Sequence, residues 1–523
     1  MEHFRRFWTQ MNFRFWPSMA FLAVLLFSLE VLFLPLAGIQ ADEVLFVTPF
    51  LKGAAPLYSW HVGSIQIPVM IMDYIGALKT WLYAPLFSVW PPGVWSIRLP
   101  PCLVSIATLV VFADAARRVA GESTALLAVL FLATDAPFVL TNVYDWGPVS
   151  LLLLGTVSCV NLFIRYGQSG SMKCWCAAFL VAGIATWYKA IFIFPFMASL
   201  AAIAIFNVRK LRGCLPLRHL AAAASCFAIG LSPLVVFNFT HLGATLSAAT
   251  HLDSASLHEK VLMMHRTLDG RALEHYMFRS FRGEKIALSG APLADLIATW
   301  YRQSGLGPGS LLPWLLLLSI PALYLVRRSE NFRHLLCVWF ACACLFGVML
   351  VFRNAGAGPH HTVLIDPGPQ FIVAATLVSL AQLVRRPLRF VVAAAGLALV
   401  VSNLYLLDRY YSAARDNGFS VYWTAAERPL SREIQARNQP TSFLDWGIRD
   451  VVRVETADRI SLASDEPRER VLYVGHCEDY VVDAGQTANF ERKLSQSGLH
   501  RTQIARVPDQ QGTSMFCLSM LGR

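Results

Sequence analysis

The chain has 523 residues, of which 56% are hydrophobic and only 15% charged, and its formal net charge is +11. Soluble globular chains are about 45–50% apolar and roughly 25% charged, so the missing charge implies a large apolar surface that never meets water. Intrinsic disorder is excluded by the hydrophobicity, and a small disulfide-stapled scaffold by the length and the scattered cysteines.

A bilayer-spanning helix needs about 20 mostly apolar residues. Eleven stretches are read as spans: 16–38, 94–116, 123–140, 146–164, 173–188, 190–208, 219–238, 309–326, 335–352, 369–384 and 390–407. The first is long enough to stay as an anchor, and no signal-peptide cleavage site is evident after it. Alternate connections carry Arg5, Arg6, Arg14; Arg117, Arg118; Arg165, Lys173; Arg209, Lys210, Arg212, Arg218; Arg327, Arg328, Arg333; and Arg385, Arg386, Arg389. The opposite short connections offer only Lys189 and Arg353. Basic residues collect on the cytoplasmic side, so the N-terminus is expected inside and, with an odd number of spans, the C-terminus outside. Much of the basic excess is then topology, and no nucleic-acid partner is needed to explain it.

The fold class expected is a polytopic α-helical membrane protein with a soluble tail. A membrane domain covers 1–407, and its long outer loops are 39–93 and 239–308. Residues 42–52 and 65–90 are apolar but broken by prolines, which predicts short amphipathic helices on the membrane surface. From 408 to 523 the chain becomes charged and periodic. Helices near 424–438 and 485–498 with strands near 441–445, 470–475 and 514–519 predict a small α/β domain outside the membrane. The long segments all fall on the periplasmic or lumenal face, so the chemistry is expected there.

Several polar residues interrupt this pattern. Asp42 and Glu43 follow the first span; adjacent carboxylates there suit a general base or a cation site, while Asp42 equally suits an N-cap. Asp145 opens the fourth span in "TNVYDWGPVS", as an N-cap or as an ionisable group facing a polar cavity. Lys189 separates two spans, where it suits a lipid phosphate or a snorkelling side chain. Lys79 lies on a predicted surface helix, with membrane anchoring as the simpler role, and Arg98 starts the second span. His360 and His361 are adjacent, so their side chains diverge; His361 is read as polar lining or a phosphate contact rather than a zinc ligand. Arg279 and Arg282 in "FRSFRG" suit a bidentate phosphate clamp. Cys477 and Cys517 fall on neighbouring predicted strands and form a candidate disulfide. No Walker A or glycine-rich nucleotide fingerprint follows any strand, so an external enzyme would need an already activated, membrane-borne substrate.

The order of these features resembles the protein O-mannosyltransferase and aminoarabinose-transferase branch of the GT-C glycosyltransferases. "ADE" at 41–43 is similar to the family's acidic motif, "SIRLP" to the segment opening the second span, and "GIATWYK" to the stretch that ends at Lys189. Asp145 matches an acidic position opening the fourth span. The likeness covers roughly 15–210 by motif and 211–407 by topology. "YIGALKTW" departs from the family at Lys79, as does "PHHTVLIDPGP" at His361. The resemblance implies a GT-C-like fold and inverting transfer of a sugar from a polyprenyl-phosphate donor to an acceptor hydroxyl. Asp42 would be the base, with Glu43 and Asp145 orienting it, binding sugar hydroxyls or holding a divalent cation. Asp42 and Asp145 would be that cation's ligands, though metal dependence is left open. Lys189, Lys79, Arg279, Arg282 and His361 would serve the phosphate. The acceptor class, whether glycan, lipid or protein, is undetermined, and a bacterial inner membrane with a periplasmic site is the expected location. The competing class is a lipid-linked sugar transporter or scramblase.

Overall fold

The computed structural model describes residues 15–52, 56–206, 216–249, 255–278, 292–304, 309–356 and 358–523. Each predicted span overlaps helix among the described residues: Phe15–Phe33, Val94–Ala133, Ser150–Ser169, Met172–Tyr188, Ile193–Phe206, Leu217–Thr240, Leu312–Val326, Phe332–Val351, Gly368–Leu383 and Arg386–Asp416. Val94–Ala133 holds two of the predicted spans, joined where the backbone leaves helical geometry at Gly121. Its second part stops short of 140. Asp135 caps a separate helix, Ala136–Val143, by accepting the Phe138 N–H at 3.1 Å. Among the described residues, seven helical runs are long and apolar enough to cross a membrane, and three shorter apolar helices accompany them.

The first outer loop differs from expectation. Strands β1 (Tyr58–Val62), β2 (Ile65–Met72) and β3 (Ile75–Gly76) form an antiparallel sheet in that order. Residues 65–72 read IQIPVMIM. Aliphatic, partly β-branched residues favour a strand, and Pro68 disrupts a helix interior but is tolerated in a short two- or three-stranded sheet. Only Leu78–Phe87 is a full helix here, and it is no surface float, since Lys79, Thr80 and Tyr83 on it are buried.

The tail forms a four-stranded sheet from β4 (Thr441–Phe443), β5 (Leu472–His476), β6 (His500–Pro508) and β7 (Ser514–Gly522) in the order β4-β5-β7-β6. β4 and β5 are parallel and the other pairs antiparallel. Helices Glu427–Arg437, Ile448–Glu455 and Ala484–Ser497 surround it. Cys477 and Cys517 are joined in a disulfide. The expected boundary at 407/408 falls inside Arg386–Asp416, because that helix continues past the membrane-type sequence and carries buried Arg409, Tyr410 and Ser412. The soluble fold begins after Asp416.

Helix Ile448–Glu455 faces two ways. Ile448 and Val452 enter the tail's own core with Leu430, Phe443, Leu472 and Leu518. Val451 and Val454 instead pack on Ile39, Val44, Val47 and Ile97. The soluble domain therefore grips the segment that carries the acidic pair.

Candidate active site

The short helix Ala41–Val44 is capped by Gln40, whose side chain accepts the Asp42 amide while Glu43 accepts the Gln40 amide at 2.8 Å. This reciprocal capping leaves Asp42 free of the cap role. Glu43 takes both arms of Arg98, at 2.6 and 2.7 Å. Arg98 also donates to the carbonyls of Leu34, Ala37 and Gly38, and it is wholly buried with its guanidinium 4.7 Å from the Tyr144 ring. A planar five-donor group satisfies a carboxylate and a helix C-terminus together. Glu43 is thus spent on framework, and Asp42 alone of the pair is available for chemistry.

Asp145 is held in the same manner. Helix Ala136–Val143 ends, and the next residues turn sharply with Asp145 at φ +41° and Gly147 at φ +66°. The Asp145 carboxylate pairs with the Lys79 ammonium and accepts the Ser150 N–H at 2.9 Å, so it caps the following helix as well. Lys79 lies between the rings of Phe46 at 5.0 Å and Tyr83 at 5.3 Å. It is an interior ion-pair partner of Asp145, not a membrane-surface anchor.

Lys189 sits where Met172–Tyr188 ends. Its backbone bridges to Ile75, and the Ala190 N–H donates to Tyr74 at 2.9 Å, so β3 fixes its position. The ammonium donates to the Gly147 carbonyl. Burial pulls the Lys189 pKa down to about 8, against the opposing pull of Asp42 and Asp145. Asp42 lies against the Gly147 backbone and beside Lys189; burial pushes its pKa above the ordinary carboxylate value, with Glu43 and Asp145 adding to the rise.

Gly147 therefore lies between Asp42 and Lys189, a position that no sequence signal marked. A Cβ there would fall 2.1 Å from the His360 ring. His360 is also 4.6 Å from Trp146, which lies 5.3 Å from Tyr276 and 5.6 Å from Trp423. His360 thus adjoins the Gly147 loop directly, and His361 stacks behind it at 4.0 Å. Nδ1 of both is buried without a hydrogen-bond partner. Glu274, also missed, has a pKa raised to about 7 by burial against the pull of Arg409 and Arg271. Arg279 and Arg282 lie outside the described residues.

Among the described residues no cluster of three His, Cys, Asp or Glu side chains has metal-binding geometry. A cavity of about 740 Å³ lies between helices from Arg118, Gln168 and His334 to Asp366, and none of Asp42, Asp145 or Lys189 lines it.

Residues 77–237 match the family model described as dolichyl-phosphate-mannose-protein mannosyltransferase. No curated protein sequence matches the chain. In structure the chain is similar to ArnT from Cupriavidus metallidurans bound to undecaprenyl phosphate, with 12% identity, 96% of this chain and 97% of that chain covered, and a TM-score of 0.53. It also matches the archaeal oligosaccharyltransferase AglB from Archaeoglobus fulgidus, in complex with an inhibitory peptide and a dolichol-phosphate. There the identity is 11%, the coverage 90% of this chain and 70% of that chain, and the TM-score 0.49. The chain thus has an ArnT-like fold along nearly its whole length and carries the mannosyltransferase family pattern across 77–237.

Proposed function

We propose that the protein transfers a sugar from a polyprenyl-phosphate donor to an acceptor hydroxyl, with inversion, on the face opposite the arginine-rich turns. One observation carries this reading. Of the ionisable groups around the 144–149 loop, Glu43 and Asp145 are consumed by Arg98 and Lys79, while Asp42 and Lys189 both lie at Gly147, whose carbonyl accepts from the ammonium.

In the reaction, the Asp42 carboxylate takes the proton of the acceptor hydroxyl as its oxygen attacks the anomeric carbon. The bond from that carbon to the phosphate oxygen breaks, and its electron pair leaves with the lipid phosphate. Lys189 stabilises that added charge at a preorganised position. A raised Asp42 pKa makes the ionised carboxylate a better proton acceptor. Asp145 and Glu43 hold the surrounding loops, His360 and His361 line the phosphate side, and Arg279 and Arg282 act as a phosphate clamp. The undecaprenyl phosphate on the fold neighbour supports the donor class. Ammonium groups beside both carboxylates already neutralise the charge that a divalent cation would require, so Asp42 and Asp145 are assigned no metal.

Asp114 binds Arg117, Arg118 and Arg165 at one end of the bundle, away from Asp42. By the positive-inside rule that end is cytoplasmic, which supports a periplasmic site in a bacterial inner membrane. The test is mass spectrometry of the purified protein with a panel of polyprenyl-phosphate sugars. Loss of the sugar with wild type but not with Asp42→Asn is expected. A donor left intact across the panel by folded wild type would overturn the reading.

A further inference from the structure

The soluble domain meets the acidic segment at a recess lined by Ile39, Ala41, Glu427, Trp446, Gly447 and His476, with Tyr422 at its edge. Its inner space is about 10 Å³, room for one water-sized group. Ala41 directly precedes Asp42, so the recess adjoins the base.

Three observations mark it as more than a packing defect. Glu427 is buried, and its Oε2 has no hydrogen-bond partner. Burial, reinforced by Glu455, raises the Glu427 pKa well above the ordinary value. His476 is fixed by a 2.7 Å bond from Nδ1 to Asp445, whose carboxylate also accepts the amides of Val482 and Asp483 at 2.8 and 2.6 Å. The other ring nitrogen remains for a ligand. At the rim, Tyr422 and Trp446 are 42% and 44% exposed, with ring centroids 6.4 Å apart.

We infer that this recess is the acceptor subsite and that the acceptor is a saccharide, its ring against Tyr422 and Trp446 and one hydroxyl between Glu427 and His476. This rests on the transfer reaction proposed above. A pyranose has an apolar C–H face and a hydroxylated edge, and the site offers an aromatic face beside a polar hole that takes one hydroxyl. Exposed aromatic rings with a polar edge suit such an amphipathic partner.

Saturation-transfer NMR on the full-length protein in detergent tests the inference with maltotriose, methyl α-mannoside and a Ser/Thr-containing peptide as probes. Wild type is expected to transfer saturation to a sugar, Trp446→Ala and Tyr422→Ala to lose it, and Trp446→Phe to keep it. In turnover, Trp446→Ala should raise the acceptor KM about tenfold. Signal from the peptide alone, no sugar signal in wild type, or a sugar signal indifferent to both alanine variants would overturn the saccharide assignment. If wild type leaves every lipid-linked sugar intact, the transfer reading fails, and the NMR comparison still decides saccharide binding.

Discussion

Asp42 and Lys189 meet at one residue: the carboxylate lies against the Gly147 backbone, and the Gly147 carbonyl accepts from the ammonium. Both side chains thus depend on one turn, and a displacement of that turn moves both.

Gly147→Ala should therefore disable the enzyme without touching an ionisable group. The residue has φ +66°, and a Cβ would sit 2.1 Å from the His360 ring. A non-glycine residue in this conformation costs roughly 1–2 kcal/mol before any clash. Transfer should fall by about 100-fold or more, as expected for misplacement of reacting groups, with a modest drop in thermal midpoint. Wild-type kcat in the variant would refute that dependence.

Asp42→Asn and Glu43→Gln should separate chemistry from framework. Loss of general-base help costs about 10²–10⁴-fold in rate, and Asp42→Asn should show it with stability unchanged or slightly raised. Glu43→Gln leaves the Arg98 guanidinium buried without its counter-charge, a defect of about 3–5 kcal/mol. Scanning calorimetry beside a donor-hydrolysis assay distinguishes them; equal destabilisation by both changes would remove the distinction.

Activity should be bell-shaped in pH. The acidic limb reports protonation of Asp42 at a pKa raised by burial, and the alkaline limb reports loss of the Lys189 proton near pH 8. Between about 8 and the ordinary lysine value near 10.4, the unfolded chain binds more protons at this lysine than the folded one. Its unfavourable burial thus fades, and this group's contribution to stability rises with pH in that window even as activity falls. An alkaline limb that stays put in Lys189→Arg would show that another group sets it.

Lys79→Met should destabilise by about 3–5 kcal/mol, because it strands the Asp145 carboxylate in a buried site. Adding Asp145→Asn should restore much of that loss, since removing both charges is far cheaper than removing one. Thermal unfolding of the two single variants and the double variant gives the coupling directly. Additive losses would mean the pair is not an interacting unit.

The spans were legible because twenty apolar residues in a row have few other uses, and Asp42 and Lys189 stood out as charges flanking such runs. What held them was not. Arg98 reaches Glu43 across 55 residues and Lys79 reaches Asp145 across 66, and no local pattern encodes such pairings. Strands β2 and β3, from Ile65 to Gly76, were read as surface helix because proline-broken apolar sequence fits both. Strand β6 and helix Ile448–Glu455 escaped for opposite reasons. β6 is mostly exposed and lacks alternation, while "IRDVVRVE" carries the β-branched residues of a strand.

The two-sided helix Ile448–Glu455 limits how such an enzyme can be re-engineered. Its Val451 and Val454, with Ile97, form the wall behind residues 39–47. A chimaera that exchanges the tail alone, in search of a new acceptor, would leave that wall unmatched and loosen Asp42 along with it. Residues 38–47 and the tail would have to be transplanted together, as a single cassette drawn from both ends of the chain.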